Sequence, residues 1–257
     1  MKTALRSVAL FAATALSVVA QYTETPVTIA PGAWLLETDV VNVAYDRHTP
    51  WRDGVHYRST YLGYVQLTTG VLPNLDVQLG LDSWREERAS DGVTTTRARG
   101  MGELYLRAKW QVWQKDEAGV ALLPYVALRG TAHESLRPAR TQFGVVVPWA
   151  APLGETWWSG GQMQVDWLDD GAGGREEWLT ATVVAGRALT EKFGCYFEAM
   201  TYAAPDLERR WATLLGGGVT WQVSERFYWD LGCMFGCSRI APDISPVLRF
   251  GWSLPPR

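Results

Sequence analysis

Charged side chains fall at alternate positions in one stretch of this 257-residue sequence, residues 102–113 (GELYLRAKWQVW). Glu103, Arg107 and Lys109 share one side of an extended chain with Tyr105 and Gln111. Leu104, Leu106, Ala108, Trp110 and Val112 take the other. A period of two sorts these residues, whereas helical spacing would scatter them. Asp82 continues the same alternation in residues 75–82 (LDVQLGLD), and Asp166 does so in residues 164–170 (QVDWLDD). Asp82, Glu103, Arg107, Lys109 and Asp166 are therefore the residues expected to line a watery lumen and set its polarity. Carboxylates and cations mixed in this way either line a selective pathway or pair with one another as a polar filling.

Sites for bond-making chemistry are poorly supplied. The three histidines, His48, His56 and His133, all fall in expected outer loops. Ser135 lies two residues from His133, but no acid is positioned to complete a triad. Asp46, His48, Asp53 and His56 could gather a metal, yet nothing fixes their spacing. Asp169 and Asp170, beside Gly171, Gly173 and Gly174, resemble a weak calcium loop at most, and a flexible outer turn explains them more simply. No phosphate-binding glycine motif precedes a helix. No catalytic residue, metal or cofactor is expected. Cys233 and Cys237 would lie about 13 Å apart along one strand at about 3.3 Å per residue, so the cysteines read as unpaired apolar fillers.

The element that carries the alternating charges is about twelve residues long, against about five or six in soluble domains and about nine to eleven for a tilted strand crossing a bilayer. Length and pattern indicate the wall of a transmembrane β-barrel, with Leu104 and Trp110 toward lipid. The start of the chain agrees. Lys2 and Arg6 precede a nearly continuous apolar run over residues 8–19, and Val18-Val19-Ala20 ends on small residues, as a secretory signal peptide does. Residues 1–20 are read as that peptide and 21–257 as one barrel domain. No cysteine near the cleavage site offers a lipid anchor. No other stretch reaches the roughly eighteen apolar residues of a membrane helix. The 14 Trp, 10 Tyr and 25 Gly with only 20% charged residues fit aromatic girdles and twisted strands. Losing Lys2 and Arg6 moves the formal charge from -3 to -5, which makes nucleic acid a poor partner.

Read in order, strands are expected at 33–45, 57–68, 75–82, 102–113, 120–129, 141–149, 157–167, 177–188, 193–202, 211–223, 227–237 and 244–254. The result is an all-β, antiparallel barrel of about twelve strands, after a short polar lead at 21–29. Residues 87–99 are expected as the longest polar connection. Long and short connections alternate, so both ends lie in the periplasm. Trp34, Trp110, Trp149, Trp157, Trp221 and Trp252 would form an inner girdle, and Tyr45, Trp84, Trp167, Trp178 and Trp211 an outer one. Such a barrel is about 24 Å across. Further lumen candidates are Glu37, Asp39, Asp76, Arg129, Glu198, Asp230 and Arg249.

Segments along most of the chain resemble a family of outer-membrane transporter-like proteins named for the MetA pathway of phenol degradation. They are AWLLETDV (33–40), LDVQLGLDSW (75–84), GELYLRAKW (102–110), ALLPYVAL (121–128), QVDWLDD (164–170), LTEKFGCYFE (189–198) and SPVLRFGW (245–252). Each is a strand-and-turn pattern, not a catalytic signature. The resemblance implies a barrel associated with uptake of aromatic or other hydrophobic compounds. One departure is the ending: Phe250, Trp252 and Leu254 alternate as a final strand does, but Pro255-Pro256-Arg257 follows, and proline cannot donate to a ladder.

The function expected is a passive or facilitated route across the outer membrane for small hydrophobic or aromatic molecules, the partners being outer-membrane lipid and that solute. The alternative is a non-transporting structural or surface-binding barrel closed by its own polar lumen. A soluble periplasmic barrel with an apolar interior fits less well, because its tryptophans would have to face water.

Overall fold

The computed structural model describes residues 21–46, 56–204, 211–238 and 240–256. The expected signal peptide and the loop containing His48 and Asp53 lie outside the described residues. The chain forms β1 (Trp34–Asp46), β2 (His56–Leu72), β3 (Leu75–Ser90), β4 (Thr95–Gly100), β5 (Leu104–Lys115), β6 (Ala118–Leu128), β7 (Gln142–Leu153), β8 (Trp157–Asp169), β9 (Arg175–Ala188), β10 (Phe193–Ala203), β11 (Trp211–Ser224), β12 (Phe227–Gly236) and β13 (Ile244–Leu254). Neighbours pair antiparallel, and β1 pairs with both β2 and β13, so the sheet closes on itself.

The lower part of β3 pairs with β5 and its upper part with β4. β4 and β5 are thus one wall element interrupted at Met101-Gly102-Glu103, which makes thirteen strands a twelve-membered barrel. At the interruption the Gly102 amide donates to the Asp82 carbonyl at 2.9 Å, and the Asp82 amide donates to the Glu103 carbonyl at 3.3 Å. The polar connection expected at 87–99 is corrected here. Only the turn between Ser90 and Thr95 connects; the rest is a hairpin that prolongs the wall past the barrel rim. Its charges misled because both its faces meet water.

A second correction concerns phase. Val40, Gly63 and Ser83 lie side by side as irregular positions in β1, β2 and β3, with Gly63 at φ +66°. Below them Asp39, Tyr64 and Asp82 face inward in register; above them Asn42, Tyr61 and Arg85 do. The extra residue at Val40 is a bulge, which shifts the alternation by one. Trp178 is also out of the expected phase: it pairs with the inward Asp166, beside the exposed Leu179, and its ring lies 5.9 Å from Tyr202. It lines the interior instead of the outer girdle. Arg129 is likewise not a lumen residue, since it sits exposed on the 3-10 turn Arg129–Thr131 and bonds the Ala139 carbonyl.

Outward positions are apolar and exposed, as at Leu106, Trp110, Val183 and Leu231; inward ones are polar and buried, as at Gln66, Gln78, Thr182 and Asp230. This inversion of a soluble protein is what a hydrocarbon surround requires. Cys195 and Cys233 are half-buried, Cys237 is exposed, and all three are free thiols.

Inward aromatic rings need space that only glycine leaves. A Cβ on Gly218 would stand 2.5 Å from the Tyr196 hydroxyl and 2.6 Å from the Leu231 carbonyl. Gly218→Ala is expected to lower stability by about 1–3 kcal/mol, as overpacking does. Gly130→Ala, where a Cβ meets nothing within 4 Å, should be neutral. Urea unfolding midpoints of the refolded protein in detergent check this, and equal midpoints for the two variants would refute it.

Candidate functional site

The polar lead does not stay outside the barrel. Residues 21–31 cross its interior, and inward side chains of the wall supply the hydrogen bonds that a neighbouring strand would otherwise provide. The Gln21 side-chain amide donates to the Ser245 carbonyl at 3.0 Å, and the Tyr22 backbone N–H donates to Glu198 at 3.1 Å. Thr23 bonds Glu198 at 2.7 Å and Thr182 at 2.6 Å; the Glu24 N–H donates to Gln162 at 2.7 Å. At the periplasmic end Thr28 donates to the Pro73 carbonyl at 3.1 Å and Gly32 to the Gly70 carbonyl at 2.9 Å. The lead has no hydrophobic periodicity, so nothing in its sequence marks it as internal. Its one acid, Glu24, is the residue that the wall answers with charge.

Arg107 donates to Glu24 and, at 2.5 Å, to Gln66. Lys109 donates to the Val27 carbonyl at 3.3 Å and is almost fully buried. Two of the charged residues singled out in β5 therefore grip the lead. The other three lie higher on the inner wall. Asp166 accepts from the Tyr125 hydroxyl at 2.5 Å and from Gln164 at 2.9 Å. Glu103 accepts from Gln142 at 3.5 Å, and Asp82 is buried beneath Gly102. On the far side Arg249 binds Asp39 at 2.6 Å and reaches the Gln21 carbonyl at 3.3 Å. The structure thus brings Arg107 and Lys109 together around the lead, with Asp82, Glu103 and Asp166 as a separate group nearer the outer rim.

The interior is divided by chemistry. Charge is concentrated on β1, β3, β5 and β13, whereas the inner faces of β9 to β12 carry apolar and aromatic groups near the outer end. There Ala212, Leu214 and Met234 form a buried cluster with Ile240 and Ala241, which fold in from the loop between β12 and β13. Met200, Tyr202 and the lead's Tyr22 pack against it. Toward the periplasm the lead separates two vestibules. One, of about 660 Å³, lies between the lead and the turns that join β5 to β11, with Trp158, Tyr196, Ala150 and Val27 on its walls. The other, of about 810 Å³, lies toward β1 to β3 and β13, with Glu37, Asp76, Arg107 and Arg249 on its walls.

At the outer end the loops are held by local bonds. The His133 ring bonds the Ser135 hydroxyl at 2.9 Å, and Ser135 in turn donates to the Arg99 carbonyl at 3.2 Å, so the pair clasps a loop to β4. Asp170 accepts the N–H groups of Ala172 and Gly174, each at 2.8 Å, which holds its carboxyl below the usual carboxylate range. It closes its own turn.

Barrels of the outer membrane superpose on this chain. A crystal structure of an outer membrane channel from Pseudomonas putida F1 superposes with a TM-score of 0.71 at 12% identity, covering 88% of this chain and 97% of that one. The translocator domain of the autotransporter NalP from Neisseria meningitidis gives 0.59 at 11% identity, covering 88% and 90%. The toluene transporter TbuX from Ralstonia pickettii gives 0.50 at 10% identity, covering 89% and 92%. At these identities the likeness is one of fold. None of the curated proteins matches the sequence. A family profile does, over residues 20–250, and the chain belongs to the family of outer-membrane barrels described as "Putative MetA-pathway of phenol degradation".

Proposed function

We propose that the barrel is a route by which small hydrophobic or aromatic molecules cross the outer membrane, and that the lead is the element a solute must pass. The observation that carries this reading is the apolar sector inside an otherwise polar barrel: Met200, Tyr202, Leu214 and Met234 face inward, where a water-filled pore would place polar groups. An aromatic solute leaving that sector meets Tyr22 and then the vestibule walled by Trp158 and Tyr196. Such a concave, largely apolar space with a few polar groups suits a small ligand. Family membership and the architecture shared with a toluene transporter support the same reading. Within it, Asp82, Glu103 and Asp166 set the polarity of the outer approach, and Arg107 and Lys109 hold the lead in place.

The test is initial uptake of radiolabelled toluene by cells whose outer membrane carries the barrel. Uptake should exceed that of cells lacking it, and Thr25→Trp, which adds bulk where the lead borders both vestibules, should slow it without loss of folded protein. Equal rates with and without the barrel would refute the proposal.

A second reading is a barrel closed by its polar interior, favoured by the Arg107–Glu24 and Arg249–Asp39 pairs. Removing one partner of a buried pair costs about 3–5 kcal/mol. Because Arg107 and Glu24 are part-exposed, Glu24→Ala is expected to cost less, and it should loosen the lead and raise single-channel conductance in a planar bilayer. Unchanged conductance together with unchanged uptake would favour the closed barrel.

A further inference from the structure

Toward the outer ends of β1 to β4, the outward face changes from apolar to cationic. Directly opposed residues form three successive rows. The first is Val41, Leu62 and Trp84; the second is Val43, Thr60, Glu86 and Arg99; the third is Tyr45, Arg58, Arg88 and Arg97. Leu62 and Tyr45 are exposed on the outside of the wall, which fixes the direction in which these rows point. Rows lie about 6.6 Å apart along a strand, and directly opposed Cβ atoms about 5 Å apart across strands. The third row therefore puts three guanidinium groups side by side on adjacent strands.

Like charges directly opposed destabilise a sheet. Compensation among the described residues is small. Glu86 pairs with Arg97, while Arg88 has no carboxylate or hydrogen-bond partner among the described residues. Glu87 is on the opposite face, bonded to Arg85 and Tyr57. Asp91, at the hairpin tip, is engaged by the N–H groups of Val93 and Thr94 at 2.8 and 2.6 Å. Among the described residues, four arginines thus face outward with one carboxylate between them.

The row's position selects the anion. It points away from the lumen, so a solute in transit does not meet it. It stands about 13 Å along the strands beyond Leu62 and Trp84, the level of lipid head groups once the strand tilt is included. Guanidinium groups bind phosphate in a bidentate fashion that ammonium groups do not match. We propose that the outward face of β2, β3 and β4 binds a phosphorylated glycolipid of the outer leaflet, with Arg58, Arg88 and Arg97 on its phosphate and Leu62 and Trp84 against its acyl chains. The β3–β4 hairpin then serves as a clamp that anchors the barrel in the outer leaflet.

The experiment is titration of the refolded mature chain in detergent with diphosphoryl lipid A, its dephosphorylated counterpart and inorganic phosphate, bound lipid being counted by native mass spectrometry. Diphosphoryl lipid A should be retained and the dephosphorylated form should not. Arg58→Gln/Arg88→Gln/Arg97→Gln should weaken binding at least about tenfold, and Lys115→Gln, an exposed change at the opposite end, should leave it unchanged. Should the triple variant fail to fold, Arg88→Gln alone decides, because that side chain makes no bond to lose; a drop in retention is expected. Equal retention of the dephosphorylated lipid, competition by inorganic phosphate at equal concentration, or wild-type binding by Arg88→Gln would each overturn the proposal.

Discussion

A strand edge in hydrocarbon leaves a row of N–H and C=O groups with no water to satisfy them, each costing several kcal/mol. The pairing of β1 with β13, from Trp34 opposite Leu254 to Tyr45 opposite Ile244, removes that edge, and the other features of the molecule follow from it. The final strand must end at Leu254, because Pro255 and Pro256 cannot add to the ladder. Closure also fixes the circumference, and with it an interior too wide for side chains alone to fill and too narrow to stay a broad aqueous pore. The chain answers with large inward rings: Tyr196 over Gly218 and Gly232, Tyr228 beside Gly251. Much of the high glycine count serves this pairing of a ring on one strand with hydrogen on the next.

The lead is the other answer to the same interior. A segment of extended backbone inside a barrel carries unpaired amides, and here Glu198 and Gln162 meet those of Tyr22 and Glu24. Carboxylates and amides that look from the sequence like the lining of an aqueous path are therefore partly occupied as hydrogen-bond partners. That occupation leaves two vestibules on either side of the lead, the one toward β1 to β3 and β13 holding the Arg107–Glu24 and Arg249–Asp39 pairs.

What was legible in the sequence was what a strict period of two encodes. Residues 104–112 sort into faces as the structure sorts them, and the tight periplasmic turns stand where Asp116 or the Ser224–Phe227 link breaks the pattern. Barrel class and strand number followed from that repetition, while the family came from the resemblance of whole strand-and-turn segments. The remainder depended on events that periodicity hides. The bulge at Val40 and its neighbours shift the phase, so residues above it change faces while their types stay plausible on either. A phase error of one residue put Trp178 in a girdle. The 85–99 hairpin is charged on both faces because both are wet, and a charged stretch without alternation looks like a loop. The lead lacked any pattern because its contacts come from all around the barrel instead of from one neighbouring strand.

Mixed charge in the interior admits two roles, and the distribution of partners separates them. Cations that selected ions in transit would be exposed along an axis and solvated. Arg107, Lys109 and Arg249 are instead committed, through Glu24, the Val27 carbonyl and the Gln21 carbonyl, to the segment that obstructs that axis. Their cost of burial is justified by a stationary partner. The inner surface of β9 to β12 is apolar near the outer end, where Ile240 and Ala241 pack over it from a loop that the Cys237 N–H and the Ser238 hydroxyl tie to β11. An apolar lining adapts to an apolar solute more readily than a hydrogen-bonded polar network does. The proposed route therefore follows the apolar side, with Arg107, Lys109 and Arg249 on the charged side anchoring the lead.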